Sequence, residues 1–331
     1  MKQNKFTLTK KMGITIFTVA MLIVAAVIVF YNNPLSNPTE EMIKKGVACG
    51  IILLSIVAFA KWYDKFMSLP TELYQNRHLI WKLAKNDFKN RYAGSYMGVI
   101  WALVQPVVTV VMYYIVFDVI MGNGRPTSDA DMPYVLFLTA GLVPWFYFSE
   151  AIMSGTNSML EYNYLVKKVV FKISILPIIK IIAATFIHVF FACVLLIIAA
   201  IYGYYPTMYT IQLVYYSFCM FMLVLGLCYT TCAVMVFFRD LGQIINIGLQ
   251  IGMWATPILW DIETIGPRAQ MLVKVNPLVY IVSGYRSAIM RREWFFEDFY
   301  YTLYFWIFTV IVFGVGALIF KRLKVHFADV L

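Results

Sequence analysis

An all-α, polytopic membrane fold is predicted by three features of the sequence: a scarcity of charge, apolar runs of bilayer length, and no strand-like alternation within those runs. Of 331 residues, 62% are hydrophobic and 13% are charged, against about a quarter charged in an ordinary soluble domain. A hydrocarbon core takes about 20 apolar residues per helix, and about eight runs approach that description. They cover 13–31, 46–60, 97–121, 134–153, 176–202, 211–238, 241–260 and 301–320. Strands in lipid have to close into a barrel with apolar and polar positions alternating, whereas these runs are mostly apolar all round.

The first run follows Lys2, Lys5, Lys10 and Lys11, as a secretory signal does. Its length, the unclear cleavage pattern around 32–36 and the second apolar run soon after it make it an anchor. The turn-rich NNPLSNP at 32–38 joins the two runs into a hairpin, residues 1–65. Residues 66–96 follow, where Leu79, Ile80, Leu83 and Phe88 interleave with Arg77, Lys82, Lys85, Lys89 and Arg91. This is an amphipathic helix expected along the membrane surface, its apolar side chains in the interface and its cations at anionic headgroups. A solvated linker helix is the plainer alternative.

Residues 97–331 hold the remaining spans. Asp118, Glu150 and Lys180 stand near span ends, where they are expected to reach headgroups. Between the last two spans, the stretch 277–290 is too short to cross and is flanked by Lys274, Asn276, Arg291 and Arg292, so a re-entrant or surface-lying helix pair is expected.

The net charge of +10 gathers beside span ends, so it sets orientation and does not mark a nucleic-acid partner. An even number of spans puts both termini on one side. That side collects Lys61, Lys65, Arg77, Lys167, Lys168, Lys172, Arg239, Lys321 and Arg322 and is expected to be cytoplasmic, while Glu40, Glu41, Asp129, Asp131, Asp261 and Glu263 fall outside. Cys49, Cys193, Cys219, Cys228 and Cys232 all lie in apolar spans and read as small buried hydrophobes. His78, His188 and His326 are too scattered for a metal motif.

Polar residues inside spans are costly unless they face protein or a watery path. In 241–260, Gln243, Asn246, Gln250, Trp254 and Pro257 fall within about 80° of one another at a helical pitch. In 97–121, Trp101, Gln105, Thr109 and Met112 form a comparable face, which Tyr113 extends. Interhelical hydrogen bonding explains such stripes. So does a sugar-facing wall, in which a ring covers the C–H side of a pyranose and amides bond its hydroxyls. Asp129 and Asp131 form a D-x-D of the kind a multi-spanning glycosyltransferase uses, but they sit in a short outer loop where two acids are commonplace. No G-x-x-x-x-G-K-[ST] occurs, so the chain carries no ATPase of the P-loop type.

The stretch 83–121, LAKNDFKNRYAGSYMGVIWALVQPVVTVVMYYIVFDVIM, resembles the opening of the permease subunit of polysaccharide ABC exporters. The likeness continues through LTAGLVPWFYFSEAIMSGTNSM, FFRDLGQIINIGLQIGMWATPILW, KVNPLVYIVSGYRSAIM and FKRLKVHFADVL, in the family's order and over 73–331. That family exports teichoic acids, O-antigens and capsular polysaccharides carried on lipids. The resemblance implies a homodimer of subunits with a six-span core in the cytoplasmic (inner) membrane, served by two copies of a separate ATPase subunit that holds the ATP and magnesium; no cofactor belongs to this chain. It also implies a channel lined by the first and fifth core spans, the two that carry the stripes. The loop 156–172, with Thr156, Asn157, Glu161, Lys167 and Lys168, resembles the coupling helix that seats on the ATPase, and the helix with Arg77, Lys82, Lys85, Lys89 and Arg91 resembles the interface helix. The hairpin at 1–65 is an addition to that pattern: an anchor, a docking element or a wall shaping lipid access, of which the anchor is the simplest. Competing readings are a permease for small drugs or lipids, and a membrane glycosyltransferase or acyltransferase.

Overall fold

The computed structural model describes residues 10–30, 38–90, 96, 98–120, 133–166 and 172–330, and all the regular structure among them is helical. The helices are α1 (Lys10–Phe30), α2 (Pro38–Lys61), α3 (Tyr63–Asn90), α4 (Trp101–Tyr114), α5 (Tyr134–Glu161), α6 (Asn163–Val166), α7 (Leu176–Ile201), α8 (Gln212–Met235), α9 (Leu241–Ala255), α10 (Pro267–Lys274), α11 (Pro277–Arg286), α12 (Phe299–Leu323) and α13 (Phe327–Val330). The chain divides into two compact units, Met1–His78 and Leu79–Leu331, and the division falls inside α3.

In the first unit α1 packs on α2 as a hairpin. Phe17 stacks on Phe59 with ring centroids 4.1 Å apart, the Tyr63 ring lies over Gly13, and Lys10 meets Asp64 at 2.8 Å. The start of α1 therefore lies beside the end of α2 and the start of α3. Both hairpin helices leave Ile23, Val27, Leu53, Leu54 and Val57 exposed. Isolated apolar helices of this length satisfy their own backbone and need only lipid around them.

The second unit is built around α5. Its most extensive packing joins α5 to α7 and α8, and α8 to α12, with α11 inserted among α5, α8 and α12. Burial of α5 is nearly complete from Tyr134 to Trp145, so it is the central helix. The α8 and α12 backbones approach at a pair of glycines. A Cβ on Gly226 would lie 3.0 Å from the Phe313 nitrogen, and one on Gly316 would run into the Gly226 carbonyl. Small residues at such crossings let membrane helices pack closely where no hydrophobic force drives them together. Buried Cys219, Cys228 and Cys232 fill the core, whereas Cys193 is exposed.

Six helices among the described residues have the length and apolarity of a span: Lys10–Phe30, Glu41–Lys61, Tyr134–Glu161, Ile173–Ile201, Met208–Met235 and Phe299–His326. The two other expected spans take different forms. From 98 to 120 the chain is helical throughout but changes pitch, passing from a 3-10 turn at Gly98–Ile100 through α4 to a wide π segment at Ile115–Ile120. The expected span 241–260 contains only the 15 residues of α9, about 22 Å of helix and too short to cross alone. It stops because Thr256 is extended (φ −90°, ψ 136°), the conformation favoured before a proline, here Pro257. The stretch 277–290 is buried inside the bundle as α11 and the π turn that follows it, so of the two expected arrangements it takes the inserted one.

Candidate functional site

The polar stripe of α9 is uncovered. Gln243, Asn246, Gln250 and Trp254 are all exposed, Trp254 to 63%, while the opposite face carries the close contacts. There a Cβ on Gly252 would lie 3.1 Å from the Trp145 ring, and one on Gly242 3.3 Å from Met235. Ile244, Ile247 and Ile251 are exposed as well, which leaves more than half of this helix without a neighbour in the second unit.

The end of α9 is nevertheless tightly held. Arg286, buried in α11, donates to the carbonyl oxygens of Pro257 (2.7 Å), Ile258 (2.8 Å) and Phe137 (3.3 Å), and its guanidinium lies 3.4 Å from the centre of the Phe137 ring. Asn276 accepts from the Leu278 amide and donates to Thr256 Oγ1 at 2.9 Å. The Tyr134 hydroxyl donates to Leu259 O, and Trp260 Nε1 to Trp254 O. The bend that ends α9 frees carbonyls inside the bundle, and buried carbonyls need donors. Arginine supplies several from one planar group.

The α4 stripe has different surroundings. Trp101 and Thr109 line a cavity of about 610 Å³ formed with α5 and α7, where Tyr147, Ser149, Glu150 and His188 contribute polar groups. Met112 is exposed and Tyr113 half-buried, and the side chain of Gln105 lies outside the described residues. The α4 helix packs on α5, and α9 on α5 and α8, and no α9 residue lines the α4 cavity, so the two stripes do not share it. Beyond the cavity wall His188 shares a buried network in which its Nε2 meets Ser217 and Tyr285 at 2.9 Å, while Tyr147 bonds Thr185.

At the opposite end of α5 the expected loop begins later than the sequence suggests. Thr156 lies inside α5, fully buried, with its hydroxyl 2.7 Å from that of Thr231. Asn157 is half-buried, and Glu161 ends the helix; Lys167, Lys168 and Arg91 fall outside the described residues. Lys82, Lys85 and Lys89 are exposed on one face of α3. Arg77, in the first unit, is also exposed and lies 4.3 Å from the Tyr74 ring.

Lys180 is a correction. Expected to reach headgroups, it is 3% exposed and paired with Asp87 (2.5 Å) and Glu161, with its ammonium 4.9 Å from the centre of the Tyr162 ring. A buried ammonium is tolerated only with counter-charges this close. The Tyr162 hydroxyl donates to the same Asp87 oxygen, and burial first, then the Asp87 charge, raises its pKa and keeps it a donor. Sequence reasoning missed Asp87, Tyr162 and Lys180 together, as it did Arg286. Asp87 alone left a trace: it lies with Ile80 and Ala84 on the side of α3 opposite Lys82, Lys85 and Lys89, an acid on an apolar face.

Comparison with known proteins places these features in a context. Residues 78–290 match the family model described as ABC-2 type transporter, which leaves α1 and α2 outside the match. The chain is 28% identical over 227 residues to an O-antigen export system permease protein RfbA of Myxococcus xanthus, covering 68% of this chain and 85% of that protein. Two proteins of the same description from Klebsiella pneumoniae are 26% identical over 252 residues and 27% over 255, each match covering 75% of this chain and 93% of the relative.

Proposed function

Because the chain belongs to the ABC-2 type transporter family, we propose that it is the permease subunit of an exporter that moves lipid-linked polysaccharide across the cytoplasmic membrane. The named relatives act in O-antigen export, which supports a polysaccharide substrate over small drugs or lipids and over a glycosyl- or acyltransferase reading. ATP and its magnesium are handled by two copies of a separate ATPase subunit. This chain supplies the path and the mechanical linkage, with both termini in the cytoplasm beside that ATPase.

The observation that carries the reading is the uncovered stripe on α9. Gln243, Asn246, Gln250 and Trp254 face away from the rest of the second unit, and three amides turned toward acyl chains have no hydrogen-bond partners. They are stable against a second copy of the chain and the hydrated path enclosed between the copies. There Trp254 offers a sugar a flat apolar surface and the amides exchange hydrogen bonds with its hydroxyls. Trp101 and Thr109 on α4 line a separate cavity with α5 and α7, a second polar surface in the same subunit.

Gln250→Ala combined with Trp254→Ala removes one hydrogen-bonding group and the largest ring without touching the packed face. In cells the double variant should assemble normally with its ATPase while glycan display at the surface falls about tenfold, the order for the net contribution of one lost hydrogen bond. Wild-type display in that variant removes α9 from the path.

A further inference from the structure

The second half of α3 is attached to α7 at two points. Trp81 and Phe88 both pack edge-on against Phe186, with ring centroids 5.2 and 5.8 Å apart, and one turn and a half earlier on α7 stands Lys180. Its ammonium bonds Asp87 of α3 at 2.5 Å and Glu161 at the end of α5, and rests against the ring of Tyr162, whose hydroxyl returns to Asp87 at 2.9 Å. The side chains of Lys180 and Asp87 are 4% and 11% exposed, that of Glu161 50%. One buried cation thus has its counter-charges on two other segments. Sliding α3 past α7 parts the buried Lys180–Asp87 charges where water is scarce, which is far costlier than parting a surface pair, and the half-exposed Glu161 ties the end of α5 to the same ammonium. An apolar contact tolerates small displacements; this one does not.

We propose that Lys180 is a positioning residue that locks the second half of α3, the end of α5 and the start of α7 into one mechanical unit. A push received from the ATPase at the segment after α5 is then delivered to α7 and the bundle, and is not lost as local slippage. This rests on the permease reading, and it assigns the transmission to particular side chains: Lys180 as the hub, Asp87 and Glu161 as its two arms, Tyr162 as the brace between them.

The test uses the full chain in complex with its ATPase and measures the amount of assembled complex, ATP hydrolysis, and glycan exported per ATP consumed. Lys180→Met should lower the amount of assembled complex, since Asp87 is left buried without its cation, and in the complex that does assemble hydrolysis should stay within about twofold of wild type while export per ATP falls about tenfold, inside the usual range for coupling between sites. Lys180→Arg, which keeps the charge, should recover most of that ratio. Glu161→Gln, at a half-exposed position that the fold tolerates, should lower the ratio as well and serves if Lys180→Met does not assemble. An unchanged export ratio in Glu161→Gln, or export in Lys180→Met that only follows the amount of complex, overturns the clamp. A wild-type chain that binds no ATPase overturns the permease reading and the clamp with it.

Discussion

Arg286 holds carbonyl oxygens 28, 29 and 149 positions away along the chain, and so joins α11 to α5 and to the bend that ends α9. Removing its guanidinium leaves those oxygens buried without a charged donor. Arg286→Met should therefore destabilise the subunit by about 3 kcal/mol, the order for buried hydrogen bonds to a charged group. Arg286→Lys should recover only part of this, because an ammonium cannot serve three acceptors spread around a plane. Thermal unfolding in detergent, with the wild-type chain as the reference, measures the difference. Sequence alone shows why such hubs escape notice. Trp254 and Gln250 are legible because their spacing on one helix fixes their common face, whereas Lys180 meets Asp87 across 93 positions and no periodicity relates the two.

Among the elements, helices built on a long apolar run were legible from run length whatever their burial, and α5, α7, α8 and α12 occupy the expected segments with shifted ends. The exceptions have local causes. Pro257 cuts α9 short, and Thr156 continues α5 because its hydroxyl finds Thr231 on α8, so the loop starts later. The crossing of α8 and α12 was not legible, since nothing in the sequence pairs Gly226 with Gly316. At that crossing Gly316→Val places side-chain carbons against the Gly226 carbonyl and the Thr230 hydroxyl. Overpacking of this kind costs about 1–3 kcal/mol, more where backbone is the obstacle. The expected result is a lower yield of monodisperse protein and a lower unfolding temperature; a yield equal to wild type shows that the helices can separate without loss.

At the scale of the whole molecule, the division after His78 nearly coincides with the start of the family match at residue 78. The hairpin of α1 and α2 therefore lies in its own compact unit and outside the family match. A chain lacking residues 1–62 keeps all of α3, including Asp87, and should still insert, co-purify with the ATPase and support export. Loss of insertion or of the complex on this deletion assigns the hairpin a structural part in the core. Its exposed apolar surface, which includes Val27, Phe30 and Leu54, is of the kind an anchor in lipid presents.

The two uncovered faces of α9 also have a bearing on supply. Pairing of subunits within a bilayer follows mass action, so the second copy proposed to cover that surface would make the apparent stability of each copy depend on how many share the membrane. Strong dilution of the purified protein into lipid should lower its unfolding temperature, and cells that make little of it should lose it to proteolysis faster than in proportion to its synthesis.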